Sequence, residues 1–251
     1  MLPRRIYQFL IIYVLGIGLL FVIKLVLNLS DYVIPGPLSV WHTGREEWYR
    51  YAADVMDTFG VAVVGQVISI FMAVAVGVAG RKATWFGSFI KVAAYNVQAY
   101  PIVAIAPILF ILLGDGFVTR LFIAAMICYF PLLLSVIGIM SEPVSDIEHF
   151  YRVTGRLRWQ LEIKIRAFEN LYKLTTVISG SATLAMAGTI VAEFIAANAG
   201  IGYSIRIALY QSDLSKILVA LFVIGITLSI YQGFLEVLGK GVKKAWTGGG
   251  S

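Results

Sequence analysis

Runs of about twenty apolar residues, set apart by short polar breaks, dictate the solvent in which this chain folds. A backbone in hydrocarbon must satisfy its N–H and C=O groups internally, so such runs fold as spanning helices. Six are readable, at about 6–27, 57–79, 87–113, 117–140, 174–197 and 216–238. The composition agrees: 59% of residues are hydrophobic and 14% charged, whereas charged residues make up about a quarter of soluble domains. A length of 251 residues accommodates these spans with modest loops, and no separate soluble catalytic domain is expected within it.

Arg4 and Arg5 precede an apolar run to Leu27 that is too long for a signal-peptide core, so it reads as a retained helix. Cys128, the single cysteine, sits among apolar residues and reads as packing. The division expected is 1–54, an N-terminal span plus an interfacial segment; 55–246, a membrane core; and 247–251, a linker-like Gly/Ser tail. Pro101 and Pro107 predict that the third span is bent or broken. The segment from Leu29 to Asp57 contains Pro35-Gly36-Pro37 and then Glu46, Glu47, Trp48, Tyr49 and Tyr51. It predicts a short helix at headgroup depth.

Orientation follows from Lys and Arg. Fourteen of the twenty gather on one side: Arg4, Arg5, Arg81, Lys82, Lys91, six between Ser141 and Lys173, and Lys240, Lys243 and Lys244. That side, with both termini, is expected in the cytoplasm of a prokaryotic inner membrane. The formal charge of +6 is thereby explained by topology, and no nucleic-acid partner is expected.

The polar interlude from Ser141 to Lys173 is then a cytoplasmic loop. Ser145 and Glu148 form a capping-box pattern behind Pro143. Phe150, Tyr151, Thr154, Leu157, Leu161, Ile165 and Phe168 recur at helical spacing, with Glu162 and Arg166 on other faces and Gly155 as a bend. Taken alone, this stripe suits either lipid headgroups or a protein partner.

Gly155 followed ten residues later by Ile165, with Arg158-Trp159-Gln160 between them, resembles the cytoplasmic loop of binding-protein-dependent ABC importer permeases. His149-Phe150-Tyr151 stands where that family carries Glu-Ala-Ala, and Ala167-Phe168 where it carries Leu-Pro. The Arg-Trp-Gln run is similar to the sulfonate, nitrate and taurine branch. Further resemblances follow in order: Val33 to Trp41, Tyr100 to Leu109, and Ala192-Glu193-Phe194 with Ala199-Gly200-Ile201-Gly202-Tyr203. The resemblance implies an all-α integral membrane protein of the type I importer fold, with six spans and a coupling-helix loop between spans four and five. It also implies two cytoplasmic ATPase subunits, a second permease subunit that is a copy or a relative, and an external solute-binding protein. ATP and Mg belong to the ATPase, and no cofactor is expected on this chain. The solute expected is small and hydrophilic: a sulfonate, nitrate or bicarbonate anion, or a vitamin precursor.

Residues carried over as ATPase-coupling are His149, Phe150, Tyr151, Val153, Thr154, Gly155, Leu157, Arg158 and Trp159. Gate or pathway residues are Glu193, Asn198, Gly200, Gly202, Tyr203, Gln98 and Pro101. Glu193 also stands out without the resemblance, because an acid in an apolar run is costly. It can bond the backbone amides of the 198–202 loop, contact solute directly, or sit solvated at the interface. Gln66, Asn96, Gln98 and Gln232 read as interhelical hydrogen-bonders, and Lys24 as a snorkelling lysine. The small residues between Gly180 and Gly188 predict close helix packing.

No phosphate-binding loop occurs, since Gly239-Lys240-Gly241 lacks the required spacing and hydroxyl. His42 and His149, expected on opposite sides, cannot share a metal. Two rival readings remain: a non-transporting scaffold that recruits a partner through its basic loop, and an intramembrane enzyme using Glu193.

Overall fold

The computed structural model describes residues 2–81, 85–142, 149, 153 and 159–247. Among these, regular structure is helical: α1 (Leu2–Val26), α2 (Pro37–Ala79), α3 (Trp85–Ala99), α4 (Ile102–Leu113), α5 (Phe117–Ser141), α6 (Trp159–Glu169), α7 (Leu171–Ile195), α8 (Ile201–Tyr210) and α9 (Leu214–Thr247). Five helices (α1, α2, α5, α7 and α9) are long and apolar enough to cross a membrane. The pair α3 and α4 makes a sixth crossing if counted as one span, bent by 88°. The bend falls at Tyr100 and Pro101, where proline removes an N–H donor and disfavours helical backbone in the residue before it.

α2 corrects one expectation. The anticipated short interfacial helix and the span starting at 57 form a single helix of 43 residues, unbroken across residues 54 and 55. Gly36 is extended and Pro37 occupies the first turn, a favourable helix start. The reason for continuity is a stripe that ignores the change in composition. Tyr51, Val55, Thr58, Ala62, Gly65, Ser69, Ala73 and Gly77 recur every three or four residues and are buried. Of the charges in the first half, Arg45, Glu46, Arg50 and Asp57 are exposed, whereas Glu47 and Asp54 border the stripe and are partly buried.

Small residues bring α2, α5 and α7 together, as packing without a hydrophobic drive between helices requires. A Cβ on Gly77 would come within 2.7 Å of Val136, and one on Gly188 within 3.1 Å of Ala124 and Ile127. Ser69 donates to the Ala125 carbonyl at 3.0 Å. The stripe on α7 divides: Ser181, Ala182, Ala185 and Gly188 are buried, while Gly180 and Ala187 face outward. Buried Gln66 joins three helices, donating to the Ile178 carbonyl (2.9 Å) and Ser181 (3.0 Å) and accepting from Tyr231 (2.6 Å). Gln232 accepts from Arg5 at 2.6 Å and donates to Thr183 at 2.6 Å. Asn96 departs from expectation: it is exposed and bonds Val92 of its own helix. Buried Cys128 meets the Ser181 carbonyl.

α1 lies outside this core, antiparallel to α9. Tyr13 donates to the Leu218 carbonyl at 2.9 Å, and Arg5 pairs with Glu236. Phe9, Tyr13 and Phe222 form an aromatic seam between the two helices. Lys24 is not merely snorkelling, since it pairs with Asp31.

Candidate functional site

The end of α7 and the start of α8 are joined by a turn that must reverse within five residues. Gly200 makes this possible with φ of 89°, a backbone region L side chains rarely adopt. It is also fitted to its neighbour, because a Cβ there would lie 2.2 Å from the Glu193 carboxyl carbon. Gly202 is equally tight, its Cβ position lying 2.4 Å from the Ile190 carbonyl oxygen. The turn thus closes directly over Glu193, which is fully buried.

α8 has no side-chain cap of its own. Other helices supply one. The Gly202 N–H donates to Glu193 Oε2 at 3.0 Å, and the Ile201 N–H donates to Thr58 Oγ1 at 2.9 Å. The Thr58 hydroxyl has one proton, which the Glu193 carboxylate (2.8 Å) and the Asp54 carbonyl (3.0 Å) compete for. A negative carboxylate at the first turn of a helix is favoured by its orphan N–H groups and by the helix dipole. The charge is balanced from α5. Arg120 donates to Glu193 Oε1 at 3.2 Å and to Asp57 at 2.6 Å. Four helices (α2, α5, α7 and α8) therefore meet at one carboxylate.

Secondary ties lock the turn. Ser204 donates to Asp54 at 2.5 Å. Arg206 donates to the Phe194 and Ala197 carbonyls, which the end of α7 would otherwise leave open, and its guanidinium lies 5.2 Å from the Tyr203 ring. Asn198 donates to Asp115 at 2.6 Å, tying the turn to the short α4–α5 connection. Glu193, Gly200 and Gly202 thus meet in one cluster, with Asn198 and Tyr203 at its edge. Among the described residues, Gln98 and Pro101 make no hydrogen bond to it; Gln98 lies in the last turn of α3 and Pro101 at the α3–α4 break.

At the opposite end of α2, α6 is pinned by a second ion cluster. Glu162, 7% exposed, pairs with Arg81 at 3.6 Å and Arg166 at 3.2 Å. Arg166 also donates to the Glu142 carbonyl, and Lys173 pairs with the Glu142 carboxylate. This corrects the expected stripe, because Glu162 turns inward while Leu161 is 46% exposed. Two cationic partners from different elements offset part of the cost of burying one acid. Of the coupling candidates, Trp159 opens α6 and is 60% exposed, and His149 and Val153 are helical and exposed. Phe150, Tyr151, Thr154, Gly155, Leu157 and Arg158, like the Ser145–Glu148 capping pattern, lie outside the described residues.

Among the described residues no group of three or more His, Cys, Asp or Glu is placed to hold a metal. The buried polar groups at the clasp bind one another across helices, which is the construction of a multi-pass membrane bundle whose working parts are its helices. Residues 65–244 match the model of the family described as binding-protein-dependent transport system inner membrane component, and the chain belongs to that family. The riboflavin transport system permease protein of Chloroflexus aurantiacus is 38% identical over 148 residues, 56% of this chain and 54% of the relative. The matched region thus spans about half of that relative's length. The formylaminopyrimidine transport permease protein of Halalkalibacterium halodurans is 20% identical over 202 residues, 78% of this chain and 79% of the relative.

Thr58, Arg120 and Asp57 are the functional candidates that sequence reasoning missed. Arg120 carried a signal, as a cation four residues into an apolar span, but its partners are far away in sequence.

Proposed function

We propose that this chain is the permease subunit of an ABC importer, forming with a second permease subunit the pathway for a small hydrophilic solute. Two cytoplasmic ATPase subunits drive it, and an external binding protein delivers the solute. ATP and Mg act on the ATPase. The observation that carries the reading is the Glu193 clasp, within a chain of this family: it ties four helices at one end of the bundle through one carboxylate. Such a joint has two states, closed with its bonds made and open with its helices apart, and so acts as an outer gate. The Arg81–Glu162–Arg166 cluster lies at the other end of α2, next to the loop proposed to dock on the ATPase. Both termini and that loop are cytoplasmic in this reading.

For the solute, a nitrogen-heterocyclic vitamin or vitamin precursor is proposed ahead of the anions of the sulfonate, nitrate and taurine branch. The support is that the two relatives are named for riboflavin and formylaminopyrimidine transport. The test is uptake of labelled riboflavin and formylaminopyrimidine into proteoliposomes holding the permease, the ATPase and the binding protein encoded beside it. ATP-dependent uptake of one of them, lost in Gly155→Pro while ATP is still hydrolysed, is the expected result. Failure of an ATPase to co-purify in mild detergent would sink the importer reading and favour the scaffold.

A further inference from the structure

A cavity of about 900 Å³ opens between α1, the first turns of α2 and the start of α9. Its wall is apolar and aromatic, with Phe21 and Ile17 from α1, Phe222 from α9, and Trp41 and Trp48 from α2. On α2, Val40, Trp41, Gly44, Arg45 and Trp48 follow three- and four-residue spacing, so one helix face is turned into the cavity. Among the described residues, Arg45 is the only charged one on that wall. It also differs from the other cations nearby. Lys24 pairs with Asp31, Arg50 with Glu47 and Asp54, and Lys216 with Glu47 and Asp213. Arg45, among the described residues, makes neither an ion pair nor a side-chain hydrogen bond.

We infer that this cavity is a binding site for one anionic phospholipid, with acyl chain against the apolar and aromatic wall and phosphate on Arg45. The occupant follows from position and charge. None of the most apolar stretch of α1 is buried by the rest of the chain, so the cavity opens sideways into hydrocarbon rather than into a water-filled pathway. A soluble ligand would have to cross that apolar rim, whereas a lipid is already there. Trp41, Trp48 and Tyr49 in the wall are the residue types that settle at headgroup level. A guanidinium meets a phosphate with two parallel hydrogen bonds. With no acid among the described wall residues to receive an ammonium or choline group, an anionic headgroup such as phosphatidylglycerol is preferred to a zwitterionic one.

The experiment uses the full chain in proteoliposomes of mixed phosphatidylglycerol and phosphatidylcholine. A trace of either lipid carries a photoreactive diazirine on an acyl chain, and labelled peptides are mapped by mass spectrometry. Labelling is expected to concentrate on residues 13–21 and 37–49 and to favour phosphatidylglycerol. Arg45→Gln, an exposed position, should lower that preference about fivefold, the worth of one basic residue at an anionic headgroup, with labelling elsewhere unchanged. Ile17→Trp, which fills the cavity, should lower labelling by both lipids. Labelling no stronger than on exposed Ile111 and Leu112 of α4, or equal for the two headgroups in the unaltered protein, would overturn the inference. Efficient disulfide crosslinking between two copies through Trp41→Cys in a Cys128→Ser background, with the segment unlabelled, would overturn it too and assign the face to a second copy.

Discussion

Replacing Arg120 by methionine puts the clasp to its most direct test. The Glu193 carboxylate is fully buried, and Arg120 is the cation paired with it. In Arg120→Met the side-chain volume is nearly kept, but a buried anion is left with only the Thr58 hydroxyl and the Gly202 N–H. Breaking one side of a buried pair costs about 3–5 kcal/mol. The ion pair with Asp57 disappears in the same variant but adds little, because that carboxylate is 46% exposed and water replaces the guanidinium. Glu193→Gln alone keeps an acceptor for Thr58 and Gly202 and frees Arg120 to lean on Asp57, so it costs less, about 1–3 kcal/mol. In the double variant no charge is stranded, and its cost falls below the sum of the two by about 2 kcal/mol or more. The assay is reversible unfolding in mixed micelles followed by tryptophan fluorescence, read as a double-mutant cycle. Strictly additive costs, or an Arg120→Met penalty below about 1 kcal/mol, would refute the view that the four helices are held through one buried charge.

Gly200→Ala puts a β-carbon into the Glu193 carboxylate and demands a left-handed backbone from alanine; a loss of about 1–3 kcal/mol and accelerated hydrogen exchange in residues 196–204 should follow, measured by mass spectrometry. Gln66→Leu removes three interhelical bonds and should lower stability by about 1–3 kcal/mol, with no change in the clasp, as seen in the same unfolding assay. Glu162→Gln should separate ATP hydrolysis from uptake in proteoliposomes, since it frees α6 from Arg81 at the end of α2; unchanged uptake per ATP would remove that cluster from the coupling route.

The spans were legible because lipid leaves few choices: long apolar runs must be helices, and a Pro-interrupted one must break. Pro101 marked the sharp bend between α3 and α4 for that reason. Composition misled where burial did not follow it. The charges between Glu46 and Asp57 disguised the first half of α2 as a separate interfacial piece, although Tyr51, Val55 and Thr58 already carried the buried stripe. Glu193 stood out as an acid in an apolar run, and Gly200 and Gly202 lay close enough to be grouped with it. Thr58, Arg120 and Glu162 did not, because each gains its role from a partner on another element. Arg120 meets Asp57 across 63 positions and Glu193 across 73, distances over which no periodicity carries information.

The unbroken course of α2 makes it a lever. Gly65 and Gly77 rest against Ala124 and Val136 of α5, so the shaft bears on that helix near its middle and its end. Arg81 is the short handle, and Thr58, Asp57 and finally Pro37 lie along the long arm. From Gly65 to Pro37 the arm is about 42 Å at 1.5 Å per residue, so a tilt of about 5° moves its tip by about 4 Å. At Thr58, seven residues and about 10 Å from Gly65, the same tilt shifts the clasp by about 1 Å, which stretches its 2.8 and 2.9 Å bonds beyond hydrogen-bonding reach. A rigid shaft therefore needs no chain of relayed contacts between the ends of the bundle, because a small rotation at one end is already a rupture at the other.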